Sequence, residues 1–299
     1  MKSNSKLEIL RAKYMGFCFG VSEAIDEVDR YVNMKKDQIY VLGMLVHNEF
    51  VIDRLKSRGV IFISEEDILT GKSPLKKGDT VIIRAHGTIK KIQDLLLDLE
   101  VNLIDMACVY VKRAREQVSI WEDKGYKLIF IGDKDHVEVK GITSYSKNAL
   151  IFSDLNELKT SNLDVNDKWI FLFQTTYNKF LFSEINDYIN SLYINSKVIK
   201  SICGATHQRQ SSVEELAKEV DVMIIIGSEQ SSNTHKLFLI SQSINKRSYW
   251  IKRPEDLTKE MVENVNKIGI SAGASTPEEI VRNVEEKILE ISNIDDIKI

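Results

Sequence analysis

Only three prolines and three cysteines occur among the 299 residues of this chain. With so little proline, no Pro-rich spacer divides the sequence, and no low-complexity segment is visible. The cysteines, Cys18, Cys108 and Cys203, are odd in number and far apart, which excludes a disulfide framework. No CxxC, HxxxH, GxGxxG or Walker loop is present, so the closely spaced ligand pairs of structural zinc sites and the common nucleotide-binding loops are missing. Charge of one sign is not in excess. A formal net charge of −3 gives no electrostatic case for nucleic acid or an anionic membrane. Long apolar runs are absent too: VMIIIG (222–227) is strand length, far short of a membrane span. The start, MKSNSKLEIL, lacks the apolar core of a signal peptide, so a cytoplasmic location is expected.

What is present is a threefold pattern. The cysteines are separated by 90 and 95 residues. An apolar stretch runs into each one, and a helix-like stretch follows it. Next comes a strand with a glycine near its end and a polar residue beyond: His47, His136 and Ser231 lie 29, 28 and 28 residues after their cysteines. A later strand ends at His86, at Thr175 with Thr176, and at Ser275, 68, 67 and 72 residues after the same cysteines. A long internal repeat of this kind outranks local pattern in setting the fold.

The repeat unit reads as strand, Cys, helix, strand, polar tip, helix, strand, helix, strand, polar tip. Ile/Val-rich strands alternating with amphipathic helices predict an α/β protein of three pseudo-repeated lobes with mostly parallel sheets. The expected lobes are residues 18–105, 106–200 and 201–299, with 1–17 a candidate to join the third and a tail from about residue 288. Ligands of such sheets bind beyond the carboxyl ends of the strands, where the polar tips fall. Thr276, Pro277 and Glu279 predict a helix start capped by Thr276, placing Ser275 beside N–H groups suited to an anion.

If the thirds pack around a pseudo-threefold axis, three thiols meet at one point and form a metal or cluster site with an open coordination position. His47, His86, Ser231, Ser232, Asn233 and Ser275 are hydrogen-bond donors for a phosphate-like group. Glu138, two residues after His136, is a candidate proton donor, and Thr175 a relay. Plainer readings stand beside these. A free cysteine is often a small buried hydrophobe, and zinc with three thiolates and one further ligand is a rival to a cluster. Ser231-Ser232-Asn233 reads equally as a turn or helix cap, and Glu138 as a solvated charge. His207 and His235 fall off the tips and read as surface or supporting residues.

The motifs GFCFGV (16–21), LVHN (45–48), AHG (85–87), the Cys108 segment, HVEVKG (136–141), QTT (174–176), ICGATHQRQ (202–210), GSEQSSN (227–233) and AGAS (272–275) together resemble the IspH or LytB family of 4-hydroxy-3-methylbut-2-enyl diphosphate reductases, over nearly the whole chain. The resemblance implies a central [4Fe–4S] cluster bound by Cys18, Cys108 and Cys203, with one iron open to the substrate hydroxyl. It implies that His47, His86, Ser231, Ser232, Asn233 and Ser275 hold the diphosphate. It places His136, Glu138 and Thr175 around the reacting alcohol, with Glu138 supplying protons. It further implies a ferredoxin or flavodoxin as electron donor. Four positions depart from the family's usual residues: Met15 for Arg, Ala107 for Thr, Val109 for Pro and Val137 for Pro. Because Ala107 and Val109 flank a cysteine, they keep two alternatives open: a non-redox cluster dehydratase and a non-catalytic iron–sulfur redox sensor.

Overall fold

The computed structural model describes residues 7–34 and 38–293. In chain order, the first elements are β1 (Glu8–Arg11), α1 (Phe19–Met34), β2 (Ile39–Leu42), α2 (Glu49–Ser57), β3 (Ile61–Ile63), α3 (Glu65–Leu69), β4 (Thr80–Ile83), α4 (Lys90–Asp98) and β5 (Asn102–Asp105). There follow α5 (Val109–Glu122), β6 (Lys127–Ile131), α6 (Val137–Thr143), β7 (Leu150–Phe152), α7 (Leu155–Thr160), β8 (Trp169–Phe173), α8 (Lys179–Leu192) and β9 (Lys197–Val198). The last are α9 (Gly204–Ala217), β10 (Val222–Ile226), α10 (Ser232–Ile244), β11 (Ser248–Ile251), a 3-10 turn at Pro254–Asp256, α11 (Lys259–Val262), β12 (Lys267–Ala272) and α12 (Glu278–Asn293). Helix α12 thus runs past residue 288, and residues 294–299 of the expected tail lie outside the described residues.

The strands form three four-stranded sheets, ordered β3-β2-β4-β5, β7-β6-β8-β9 and β1-β12-β10-β11. Every pairing among the described residues is parallel. One of the two edge strands in each sheet runs into a cysteine: β5 before Cys108, β9 before Cys203, and β1 before Cys18.

The chain divides into two compact units. One comprises residues 1–19, 47–51 and 204–299, and the other residues 20–46 and 52–203. In the first unit, β10 is buried on both faces, as a central parallel strand requires. Val222, Ile224 and Ile226 face Val281, Val284 and Ile288 of α12. Met223 and Ile225 face Val213 and Leu216 of α9 and Leu237 of α10. The second unit repeats this construction twice. Leu42, Val81 and Ile83 pack on Ile92 and Leu96 of α4. In the other sheet Phe171 and Phe173 pack on Ile185 and Ile189 of α8, while Phe130 and Leu172 pack on Val111 and Val118 of α5. Fully burying one such Leu, Ile or Phe side chain contributes about 1.5–3 kcal/mol. These double-sided cores therefore hold the strand ends, and the residues just past them, in fixed places.

Candidate functional site

Each cysteine sits between a strand and a helix and is held by the same backbone contact. The Cys108 N–H donates to the carbonyl of Ala85 at 2.9 Å, next to His86. The Cys203 N–H donates to Thr175 O at 2.9 Å, and the Cys18 N–H to Ala274 O at 3.2 Å, next to Ser275. In all three repeats, then, the cysteine is tied to the tip of the sheet strand that carries the second polar residue. All three thiols are of intermediate exposure. Cys108 is the N-cap residue of α5, and Phe19 and Gly204 begin the helices after the other two. Helix starts offer N–H groups to negative charge, a setting that suits thiolate ligands. Within the second unit, a Cβ at Gly20 would lie 2.9 Å from Cys108 Sγ, so only glycine leaves that sulfur its space. Among the described residues, no group of three or more His, Cys, Asp or Glu side chains is drawn together as a metal site. The donor set, three thiols each locked to a tip, fits a sulfur-ligated cluster in its chemistry and its local backbone.

In the second unit, His86, His136, Glu138 and Thr175 come together. Glu138 is 1% exposed. Its Oε1 accepts the Thr175 N–H at 2.7 Å, and its Oε2 accepts the Thr175 hydroxyl at 2.7 Å. The solvated-charge reading of Glu138 is thereby overturned: the carboxyl is core-buried and doubly bonded. His136 caps α6, its Nδ1 accepting the Glu138 N–H at 3.2 Å, so the imidazole that orients the helix also fixes the backbone of the acid. The His86 ring meets the His136 ring edge-on, with centroids 5.7 Å apart.

The first unit holds His47, Ser231, Ser232, Asn233 and Ser275, and in it the start of α10 borders the tip after β12, since a Cβ at Gly273 would fall 2.0 Å from Thr234 Oγ1. Ser231 is the N-cap of α10, its Oγ accepting the Thr234 N–H at 3.2 Å, so the capping reading holds for this serine. Asn233 is buried, and its Nδ2 has no hydrogen-bond partner in the structure, a donor open to an incoming acceptor at the start of a 13-residue helix. Ser275 Oγ donates to His47 O at 3.0 Å, joining two of the expected anion ligands. The Thr276 cap is corrected. Helix α12 begins at Glu278, and the buried Thr276 hydroxyl donates instead to Ile226 O at 3.1 Å, fastening the strand-to-helix turn to β10.

His207 and His235 are both exposed, and His235 stacks on Trp250. Two buried arginines were not legible from the pattern. Arg209 donates to Gly16 O at 2.7 Å, two residues before Cys18. Arg115 pairs with Asp105, three residues before Cys108. The available signal was a charged residue on the inward face of a helix that follows a cysteine, at spacings of six and seven residues.

Of the four departures, Met15 packs against the apolar cores on both faces of the β1-β12-β10-β11 sheet, where a methionine can fill irregular space. Ala107 is buried, Val109 exposed and Val137 half-buried. None removes a residue described above.

The family model described as LytB protein matches residues 9–289. A 4-hydroxy-3-methylbut-2-enyl diphosphate reductase of Fusobacterium nucleatum is 41% identical over 97% of this chain, which spans about a third (35%) of that longer protein. A protein of the same name from Caldanaerobacter subterraneus is 37% identical over 97% of this chain and 99% of its own length. Among solved structures, the E-1-hydroxy-2-methyl-but-2-enyl-4-diphosphate reductase of Plasmodium falciparum matches with a TM-score of 0.84 at 29% identity, covering 97% of this chain and 88% of that one. A second, described as the terminal enzyme of the non-mevalonate pathway, matches with a TM-score of 0.68 at 36% identity, covering 95% of this chain and 99% of that one.

Proposed function

The chain belongs to the LytB protein family, and on that premise we propose that it is a 4-hydroxy-3-methylbut-2-enyl diphosphate reductase. It replaces the allylic hydroxyl of its substrate by hydrogen, consuming two electrons and two protons and releasing water with isopentenyl and dimethylallyl diphosphates. The observation that carries this reading is Thr175. Its N–H and hydroxyl bind the buried Glu138 carboxyl, and its carbonyl holds the Cys203 N–H. One residue thus couples a proton donor to a cysteine, the coupling that a reductive dehydroxylation needs.

Cys18, Cys108 and Cys203 would hold a [4Fe–4S] cluster. When bound, that group supplies electrons and Lewis acidity at an iron without a protein ligand. The chain's own residues do the remainder. Glu138 protonates the leaving hydroxyl, and Thr175 passes a proton between carboxyl and substrate. His136 keeps the first turn of α6, and with it Glu138, in place. His47, His86, Ser231, Ser232, Asn233 and Ser275 bind the diphosphate by charge-assisted hydrogen bonds. The electron donor is a ferredoxin or flavodoxin, and the site of action is cytoplasmic. Among the described residues no helix is long and apolar enough to cross a membrane.

The test is anaerobic purification with iron and sulfide analysis, followed by turnover of the hydroxylated diphosphate with a chemical reductant. The reading predicts about four irons per chain and reductant-dependent product. Turnover without reductant would instead identify a dehydratase. A bound cluster with no turnover would leave the sensor.

A further inference from the structure

Arg115 lies on the inward face of α5, between Ala114 and the buried Val118. It is 6% exposed. Its Nη1 donates to Asp105 Oδ2 at 3.1 Å, and its guanidinium sits 5.4 Å from the centre of the Tyr145 ring. Its Nε and Nη2 are buried with no hydrogen-bond partner. A buried charge with two unmet donors and one partner is a poor stabiliser, and an apolar side chain of the same length commonly does as well or better in such a place. The fold alone therefore does not account for it.

Its connections do. Asp105 ends β5 and begins the turn to Cys108. Asp105 Oδ1 accepts the Ala107 N–H at 2.8 Å, while Oδ2 is held by Arg115. Lys112 Nζ bonds the Asp105 carbonyl at 2.7 Å. The turn has no hydroxyl of its own: residue 107 is alanine, and the N-cap of α5 is Cys108, whose side chain makes no capping hydrogen bond to the helix. On its other side the guanidinium lies across Gly87, where a Cβ would fall 1.8 Å from Nη2. Gly87 has φ +77° and directly follows His86. Arg115 therefore touches both halves of one construction, the turn that presents Cys108 and the tip that presents His86.

We propose that Arg115 is a positioning residue for Cys108, acting through Asp105 to hold the 105–108 turn against the His86–Gly87 tip. The significance of this placement rests on Cys108 being a cluster ligand, but the placement itself does not. In the full-length apo protein under anaerobic conditions, limiting N-ethylmaleimide would be added and the labelling rate of each cysteine read by peptide mass spectrometry, with Cys203 as internal reference. Arg115→Met keeps the apolar stem and removes the charge. We expect the Cys108/Cys203 rate ratio to rise about tenfold, as for loss of a charged hydrogen bond that closes a local opening, with the melting temperature unchanged or higher. Asp105→Asn keeps an acceptor for the Ala107 N–H and should give a smaller rise. After reconstitution, Arg115→Met should also lose iron to a chelator faster than the unaltered protein. An unchanged ratio in folded Arg115→Met, or a lowered melting temperature with an unchanged ratio, overturns the proposal. If that variant does not fold, the same ratio in Asp105→Asn decides it. Failure of the unaltered protein to take up iron would sink the cluster reading and leave the ratio standing.

Discussion

The strand ends of the first unit's sheet and those of the β6–β8 sheet are built alike and do opposite things with the second residue of a helix. In one, His136 caps α6 and Glu138 follows at the second helical position. In the other, Ser231 caps α10 and Asn233 occupies the same position. Each helix follows a strand whose neighbour in the sheet ends in a polar tip, Thr175 after β8 and Ser275 after β12. The Glu138 carboxyl is bonded on both oxygens to its neighbouring tip. The Asn233 amide donor is left without a partner, and Ser275 turns to His47 O instead. A self-satisfied acid is fixed before substrate arrives, as a proton donor must be. An unmet donor is a place for a ligand's own acceptor, since burying it unbonded costs about 1–3 kcal/mol. On the proposed function, one scaffold yields a reacting end and a binding end through a single choice, carboxyl or amide, at one helix position.

The largest effect that can break this comparison belongs to Glu138→Gln. The amide oxygen can keep the bond from the Thr175 N–H, and the amide NH2 can donate to the Thr175 hydroxyl oxygen in place of the second bond, but the group carries no proton it can release at neutral pH. Steady-state turnover with saturating substrate and reductant should fall about 10²–10⁴-fold, with the cluster spectrum unchanged. Near-normal turnover would show that protons arrive by another route and that Glu138 only shapes its surroundings. Asn233→Ala is the converse. It should weaken binding of the diphosphate by about 1–3 kcal/mol, read as a higher KM with kcat nearly kept. A fall in kcat without a change in KM would place Asn233 on the reacting side and erase the distinction.

Much of this construction is legible in the sequence because it repeats. The three cysteines, the two tips in each third and the strand–helix order follow from spacing and β-branched runs alone, and parallel sheets follow from strands apolar on both faces. That Ser231 serves as a cap is legible as an even alternative, because serine before a helical run has that use. The burial of Glu138 is not legible. A lone glutamate reads as solvated, and its partner Thr175 lies 37 residues away on another strand, joined only by the fold. Thr276 misleads because Thr-Pro-Glu-Glu fits a capping pattern, yet the carbonyl of Ile226, 50 residues distant, takes the hydroxyl. Arg115 and Arg209 are opaque for a related reason. Their partners are a carboxylate or backbone carbonyls in the cysteine turns, and helical spacing shows which way a side chain points but not what it meets.

Stability sharpens the same contrast at a smaller scale. Thr175→Val removes the hydroxyl that Glu138 Oε2 faces and leaves one oxygen of a buried carboxyl without that bond. Ser275→Ala removes a bond to a backbone carbonyl at a less demanding place. In thermal melts of the apo protein at neutral pH, Thr175→Val should destabilise by about 1–3 kcal/mol, as for a buried acceptor that loses a donor, and Ser275→Ala by about 1 kcal/mol or less. Equal losses would mean that Glu138 finds another donor as readily as His47 does, and that the acid is less firmly held than its two bonds imply.

The smallest effect lies at the opposite ends of the strands and concerns pH. In the first unit, Asp221 sits just before β10, and its Oδ2 accepts the N–H groups of Lys267 at 2.9 Å and Asn266 at 2.8 Å, at the entry of β12. Those two bonds hold the Asp221 carboxyl below the usual aspartate range. In the β6–β8 sheet the Trp169 N–H at the entry of β8 is held instead by a neutral group, the Ser196 hydroxyl before β9, accepting at 3.2 Å, beside the Lys127–Asp167 ion pair. A carboxyl with a depressed folded pKa contributes stability above its unfolded pKa, and that contribution is lost as pH falls through the folded value. Asp221→Ala should therefore lower the melting temperature slightly at pH 7. The gap from the unaltered protein should narrow as the pH drops below the ordinary aspartate range. For Ser196→Ala the gap should not follow the same course, because the group removed, a hydroxyl, takes up no proton. A pH-independent gap for Asp221→Ala would mean that its two backbone bonds act through geometry alone, and the two sheet entries would then differ in residue type but not in kind.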